Sequence, residues 1–423
     1  MGNHRENEIG SKSFTIDKCR ICGKDELKSY LNLGMLPLAN NLGETREDAI
    51  SKDCFPLNVL FCPNCSLSQL SEVVDPRVLY SHYLYRSDMS QGYINHCKQM
   101  ALDLRKKYNI IDNVSFVVDV AGNTGTLLEQ FRELMPNLKV LNIDPAKNLA
   151  PICRNKKIPV LTEFFSINSA MDTFLSYGKA DIITATNVFA HVNSVRDFIL
   201  SAKFLLHVNG VLVLEFPYIK DYIDDLEFST SYHEHLSYIG ITPLALLCKE
   251  TDMKIISVEK QDIHCGTVRV EITHNTSNRV IEKSVDEFLN LEENEGFNSI
   301  LKYIDWQLNV DNLVDELKST VYKIKAEGKT VVGFAGSAKG NTLLNACGFT
   351  DNEISYIVDD TPEKQGKFSP KTGIKIVSVD ELKVNKPDYI LILAWNFTEE
   401  IIKRLDGLYD GKFIIPVPEV VIR

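Results

Sequence analysis

The chain has 423 residues, 44% of them hydrophobic and 24% charged, with a formal net charge of −11. Such a length is too great for one core and calls for two or three domains. The acidic balance argues against a nucleic-acid partner, because nothing neutralises phosphates in bulk, and no apolar stretch approaches the ~20 residues of a membrane span.

The N-terminus, Met-Gly-Asn-His-Arg-Glu-Asn-Glu, is polar and lacks the apolar core of a signal peptide. A cytoplasmic chain is expected, with no membrane association, and its ten cysteines are expected as thiols rather than disulfides. Residues 1–13 read as a disordered leader. In residues 14–75, Cys19-Arg-Ile-Cys22-Gly23 is followed by Cys62-Pro-Asn-Cys65, with 39 residues between Cys22 and Cys62. Two C-x-x-C pairs in a reducing compartment predict a four-thiolate zinc site that closes two small knuckles into one unit. Four thiolates leave no open coordination position, so this zinc is expected to be structural. The alternatives are unrelated buried thiols or a redox pair.

Residues 76–280 are expected to form the central domain. Tyr80, Tyr83 and Tyr85 cluster before its first strand, and either pack between domains or line its pocket. A predicted helix over 91–108 leads into Phe116-Val-Val-Asp119-Val-Ala-Gly122-Asn123-Thr-Gly125-Thr-Leu-Leu. An apolar β-branched run, a glycine turn and a helix start mark the place where an open α/β sheet binds a nucleotide-like ligand. The spacing is D-x-x-G-x-x-G rather than G-x-G-x-x-G. It points to S-adenosylmethionine (SAM), which has no pyrophosphate to cradle, with another Rossmann ligand as the alternative. Leu138–Ile143 predicts the next strand and ends in Asp144, placed to bond a ribose hydroxyl pair. A third strand, 180–186, leads into Asn187-Val-Phe-Ala-His191, and a fourth, 211–216, contains Glu215. Four strands alternating with helical segments predict a doubly wound domain.

Tyr232-His233-Glu234-His235 follows, a dense group of proton-transfer side chains. Catalysis is the favoured reading; chelation by H-x-H and a structural role are the rivals. A predicted strand pair starts near His264-Cys265-Gly266-Thr267 and carries Arg269 as a candidate anion contact. Residues 281–328 predict a helical linker, with Leu301, Ile304, Leu308, Leu313, Leu317 and Ile324 as its packed positions. In residues 329–423 a second strand–turn–helix unit, Val331 to Thr342, repeats the nucleotide-type pattern. Phosphate at its turn would meet backbone N–H groups and Lys339, with Gly340, Asn341 and Thr342 beside it and Asp359 ending the next strand. Two such units predict two nucleotide-bearing ligands.

Together these residues resemble the sugar C-methyltransferase family, which methylates carbon 3 of deoxyhexoses carried on nucleoside diphosphates. The resemblance spans Cys19 to about residue 400 and rests on C-R-x-C-G, Cys62–Leu70, Tyr83-Leu-Tyr85-Arg-Ser and Tyr232-His-Glu-His235. It rests further on Ala338–Asn345, Val358–Pro370 and Leu391–Phe397. It implies an α/β protein with three parts: a small zinc-binding N-terminal domain, a doubly wound SAM-dependent methyltransferase domain and a Rossmann-like C-terminal domain, with a 4-keto sugar nucleotide held between the last two. It implies His235 as base, Tyr232 as its aid in proton transfer, and Glu234 contacting the substrate or orienting the histidine. His191 would donate to the keto oxygen, and Tyr85, with Tyr83 as rival, would lie near the methyl group. Asp119, Gly122, Asn123, Gly125, Asp144 and Asn187 would serve SAM. A monomer is expected, since one chain carries both ligand sites. The family's N-D-G turn is replaced by Asn123-Thr124-Gly125, and its H-G-G-S by His264-Cys265-Gly266-Thr267. A sugar N- or O-methyltransferase and a non-catalytic zinc-containing binding protein are the competing functions.

Overall fold

The computed structural model describes residues 12–81, 83, 86–263 and 266–423. Most of the expected leader, Tyr85, His264 and Cys265 therefore lie outside the described residues. The last residue of the expected leader lies in a strand: Ser13–Thr15 pairs antiparallel with Glu72–Val74. The cysteine knuckles flank a four-stranded sheet in the order Ser237–Tyr238, Ser68–Leu70, Cys54–Phe61, Lys28–Pro37. Its edge strand comes from the segment just after Tyr232–His235, so the catalytic candidates hang from the sheet of the zinc unit.

The central sheet has seven strands, in the order Met253–Gln261, Thr267–His274, Leu206–Pro217, Ala180–Thr186, Phe116–Val120, Lys139–Ile143, Val160–Leu161. The last five are parallel, and Thr267–His274 runs antiparallel to its neighbours. Phe116–Val120 is buried at every position, as a parallel strand covered on both faces must be. The order reverses between Phe116–Val120 and Ala180–Thr186, and at such a switch point a crevice opens at the carboxyl ends of the strands.

A six-stranded sheet follows in the order Ile376–Val377, Ile357–Val358, Val331–Phe334, Tyr389–Ile392, Lys412–Ile415, Val421–Ile422. Counted along this region of the chain, that order is 3-2-1-4-5-6, the Rossmann arrangement, with its switch point between Val331–Phe334 and Tyr389–Ile392.

The expected linker consists of helices Lys283–Asn294 and Ile300–Ala326, and its packed stripe differs from the expected one. Leu301, Ile304 and Leu308 are exposed, whereas Tyr303, Trp306, Val310, Leu313, Leu317, Val321 and Ile324 are buried. Aromatic anchors at the start of the helix rotate the buried face: Tyr303 packs on Tyr30 and Phe61, and Trp306 on Tyr30 and Tyr222. One buried cluster accordingly runs from Cys19 and Tyr30 through Leu214 and Tyr303 to Ile357.

Candidate active site

A cleft of about 1490 Å³ joins both switch points and is lined from three directions. From the central sheet come Ala121, Gly122, Asn123, Asp144, Asn187 and His191; from the segment 227–235 Glu227, Thr230, Tyr232 and His235; from the C-terminal sheet Ser337, Lys339, Asp359, Lys364 and Arg404. Single small-molecule sites measure roughly 300–1,000 Å³, so this volume has room for two ligands.

The first glycine turn is built from side chains that grip its backbone. Asn142 Oδ1 accepts the Gly122 N–H, Asp144 Oδ2 accepts that of Asn123, and Asp144 Oδ1 accepts that of Ala146. A Cβ on Gly122 would stand 2.4 Å from Asp119 Oδ2, so glycine is required there by the approach to Asp119. Gly125, at φ 73°, starts the next helix from a left-handed conformation that suits glycine. Asp119 is buried, accepts the Thr184 hydroxyl at 2.7 Å and does not line the cleft. Burial above all raises its carboxyl to about 7. Thr124, where the family pattern has an acid, is fully buried, its hydroxyl between those of Ser87 and Thr126, so this position faces the interior.

At the centre of the cleft two histidine rings meet edge to face with centroids 4.9 Å apart. His235 Nδ1 lies 2.8 Å from the Thr230 carbonyl, which can only accept, so this nitrogen carries the proton. Nε2, 2.9 Å from the Tyr232 hydroxyl, is then the lone-pair nitrogen. Burial, and next the neighbouring His191, hold His235 well below the usual histidine range; burial likewise pulls His191 down to about 4. His191 Nδ1 is 3.0 Å from the Tyr80 hydroxyl, whose other partner is the Glu234 carbonyl at 3.2 Å.

Glu234 is placed differently from the expectation. Its carboxylate accepts from Asn40 Nδ2 at 2.6 Å and from the Tyr83 hydroxyl at 3.3 Å, and does not line the cleft. His233 points to the zinc unit, with Nε2 on the Pro56 carbonyl and its ring against Phe55, so the two histidines of H-x-H do not converge.

The predicted phosphate residues divide. Lys339 and Asp359 line the cleft, Lys339 with its ammonium 4.8 Å from the centre of the Trp395 ring. Gly340 packs its helix on Leu393, Thr342 bonds back to Ala338, and Asn341 donates to the Ala39 carbonyl. Arg269 is buried on Glu215 at 2.7 Å, with Asp103 and Glu259 at 3.9 and 4.0 Å, and Glu215 in turn meets His96, so this guanidinium already has its carboxylates and does not line the cleft. Lys364 and Arg404 were missed. Lys364 bonds the Gly336 carbonyl and Asp359, and Arg404 pairs with Asp360 over the Phe334 ring. Lys364 follows the acidic strand end by five residues, a signal available in the sequence; Arg404 on a later helix had none.

The four knuckle sulfurs lie within 4.8 Å of one another, with 3.5 Å between Cys19 and Cys65 and between Cys22 and Cys62. Zn–S bonds of about 2.3 Å in a tetrahedron give S···S edges of roughly 3.8 Å, so the thiolates fit the ion. Among the described residues this is the one such group of three or more possible ligands.

The chain is 31% identical over 406 residues to the C-methyltransferase NovU of Streptomyces niveus, covering 96% of each. The chain belongs to the C-methyltransferase family. A C-methyltransferase C-terminal domain matches residues 262–418, a methyltransferase domain 86–258 and a zinc binding domain 19–80. Among solved structures, magnesium protoporphyrin IX methyltransferase from Synechocystis PCC 6803 is similar over 43% of this chain and 83% of its own, at 12% identity and TM-score 0.34. The plantazolicin methyltransferase BpumL covers 45% and 88% at 13% identity and TM-score 0.35. The protein is a SAM-dependent methyltransferase with a structural zinc. SAM fits the first turn: Ala121, Gly122, Asn123 and Asp144 all open on the cleft, and each Asp144 oxygen keeps lone-pair capacity beyond its one backbone bond. No helix among the described residues is long and apolar enough to cross a membrane.

Proposed function

We propose that the enzyme methylates carbon 3 of a nucleoside-diphosphate-linked 4-keto-6-deoxyhexose through an enolate. The observation that carries this reading is the neutral His191–His235 pair in a cleft shared by two nucleotide-type turns. Methylation at nitrogen or oxygen needs no carbon acid; a base could serve a hydroxyl acceptor too, and exchange at carbon 3 separates the two reactions.

A hydrogen on carbon 3 becomes acidic only when the adjacent carbonyl can take up the charge. His235 is the proton acceptor. Its Nε2 already receives the Tyr232 hydroxyl, so Tyr232 passes its own proton to Nε2 as it takes the one from carbon 3. The Glu234 carbonyl can only accept, so Tyr80 donates its one proton there and receives Nδ1–H of the neutral His191 ring, whose Nε2 meets the developing enolate oxygen as a donor once it carries a proton. Residues 121–123, Asp144 and Asn187 hold SAM, which supplies an electrophilic methyl group. Lys339, Lys364 and Arg404 offer cationic heads to the diphosphate at the second turn.

The test is solvent deuterium exchange at carbon 3 of 4-keto-6-deoxyhexose nucleotides, several bases offered, with S-adenosylhomocysteine bound. Exchange dependent on His235 is expected. Bound nucleotide with no exchange would point to N- or O-methylation or to a non-catalytic role.

A further inference from the structure

Arg20 stands between two zinc ligands, yet its side chain serves the catalytic loops. Its Nε donates to Asn193 Oδ1 at 3.1 Å, and its Nη1 to the Leu70 carbonyl at 2.7 Å and to Gln69 Oε1 at 3.2 Å. Its own N–H donates to the same Gln69 oxygen. Asn193 lies two residues beyond His191 and lines the cleft. Gln69 is in register with Ser237, two residues beyond His235, and the Leu70 N–H donates to the Leu236 carbonyl. Arg196, on the helix after the His191 loop, grips the knuckle from the other side by donating to the Ile21 carbonyl at 3.0 Å. Among the described residues no carboxylate is a hydrogen-bond partner of Arg20, and its Nη2 is shut off from solvent without a partner there. The neighbouring Cys19 thiolate offsets part of the cost of holding this cation away from water, and the hydrogen bonds to Asn193 and Leu70 commit the side chain to the catalytic loops rather than to the knuckle itself.

We propose that Arg20 is a positioning residue that ties the zinc knuckle to the two histidine-bearing loops and sets their 4.9 Å ring separation. The proposal rests on the catalytic reading above only for its kinetic readout. The test uses zinc-loaded full-length Arg20→Gln, Asn193→Ala and the double variant. It measures zinc content, S-adenosylhomocysteine affinity, carbon-3 exchange and the imidazole nitrogen signals of histidine-labelled protein. We expect full zinc, and ligand affinity within about two-fold, with exchange lower by about 10- to 100-fold as misplaced catalytic groups are. The His191 and His235 signals should move while that of His96 stays, and the double variant should lose no more than the worse single one. Unmoved His191 and His235 signals, or additive losses, would overturn the assignment. If Arg20→Gln loses zinc, Asn193→Ala, which leaves the knuckle intact, decides by the same signals. A native chain without carbon-3 exchange would retire the sugar reading, and the histidine signals would still judge Arg20.

Discussion

A histidine accepts a proton only through a ring nitrogen that carries none, and at His235 the Thr230 carbonyl settles which one that is. Burial keeps both imidazoles of the pair neutral, His191 down to about 4 and His235 well below the ordinary value. Turnover should therefore lack the ionisation near 6.5 of an exposed histidine, and kcat should stay level from about pH 6 to 8. A kcat that falls through pH 6.5 would show that the rings charge. Replacing His235→Asn should lower kcat by about 10²–10⁴ while S-adenosylhomocysteine still binds; full activity in that variant removes His235 as base. Asp119 presents the opposite case. Its carboxyl, raised to about 7 mainly by burial, prefers its proton in the folded state. An acid with a raised folded pKa stabilises below its unfolded value of about 3.9 and loses that contribution as pH rises to about 7. Asp119→Asn should flatten this decline and raise stability at pH 8 by up to roughly 4 kcal/mol. Urea midpoints at pH 5 and pH 8 check it, and an unchanged pH dependence would show the charge is compensated.

The two glycine turns were legible because their signals are local: a β-branched run, small residues, then an acid ending the next strand. The structure gives both acids one job, since Asp144 holds the Asn123 N–H and Asp359 the Gly336 N–H, each at 2.8 Å. What was not legible is set by neighbours distant in sequence. The stripe on Ile300–Ala326 follows Tyr30 and Phe61 rather than Leu301 and Leu308, and the antiparallel Met253–Gln261 and Thr267–His274 pair, with Val160–Leu161 at the other edge, extends a sheet read as four strands to seven. Gly340 illustrates the ambiguity of a glycine after a strand, which can admit a ligand or a side chain. Here a Cβ would lie 2.6 Å from Leu393 Cβ, and the Ser337 hydroxyl that caps the helix takes the Gly340 N–H. Gly340→Ala should accordingly overpack the helix against its strand and cost about 1–3 kcal/mol, measurable by urea unfolding. Unchanged stability with weakened nucleotide binding would return Gly340 to the ligand.

On the scale of the whole molecule, the two sheets present their switch points to one cleft, and the zinc unit closes its floor with the Tyr232–His235 segment. Asn341 of the C-terminal helix bonds the Ala39 carbonyl, and the next residue, Asn40, bonds Glu234, so all three units converge within a few residues of the histidine pair. Methyl transfer from sulfur to carbon demands that convergence, because the acceptor carbon and the methyl donor must be held together while water is kept out. The cleft volume exceeds the ~300–1,000 Å³ of one ligand site, which predicts simultaneous rather than competing occupancy. Protein saturated with S-adenosylhomocysteine should take up sugar nucleotide in calorimetry, whereas mutual exclusion would break the two-site division. Lys339, beside Trp395 and near enough to His235 to oppose its charging, lines the cleft from the C-terminal sheet, where the sugar nucleotide is proposed to bind. A charge-assisted phosphate contact contributes about 1.5–3 kcal/mol, so Lys339→Ala should weaken sugar-nucleotide binding roughly 10- to 100-fold and leave S-adenosylhomocysteine within about two-fold. Equal losses for both ligands would mean that Lys339 supports the cleft as a whole, and the diphosphate would then have to be sought at Lys364 and Arg404.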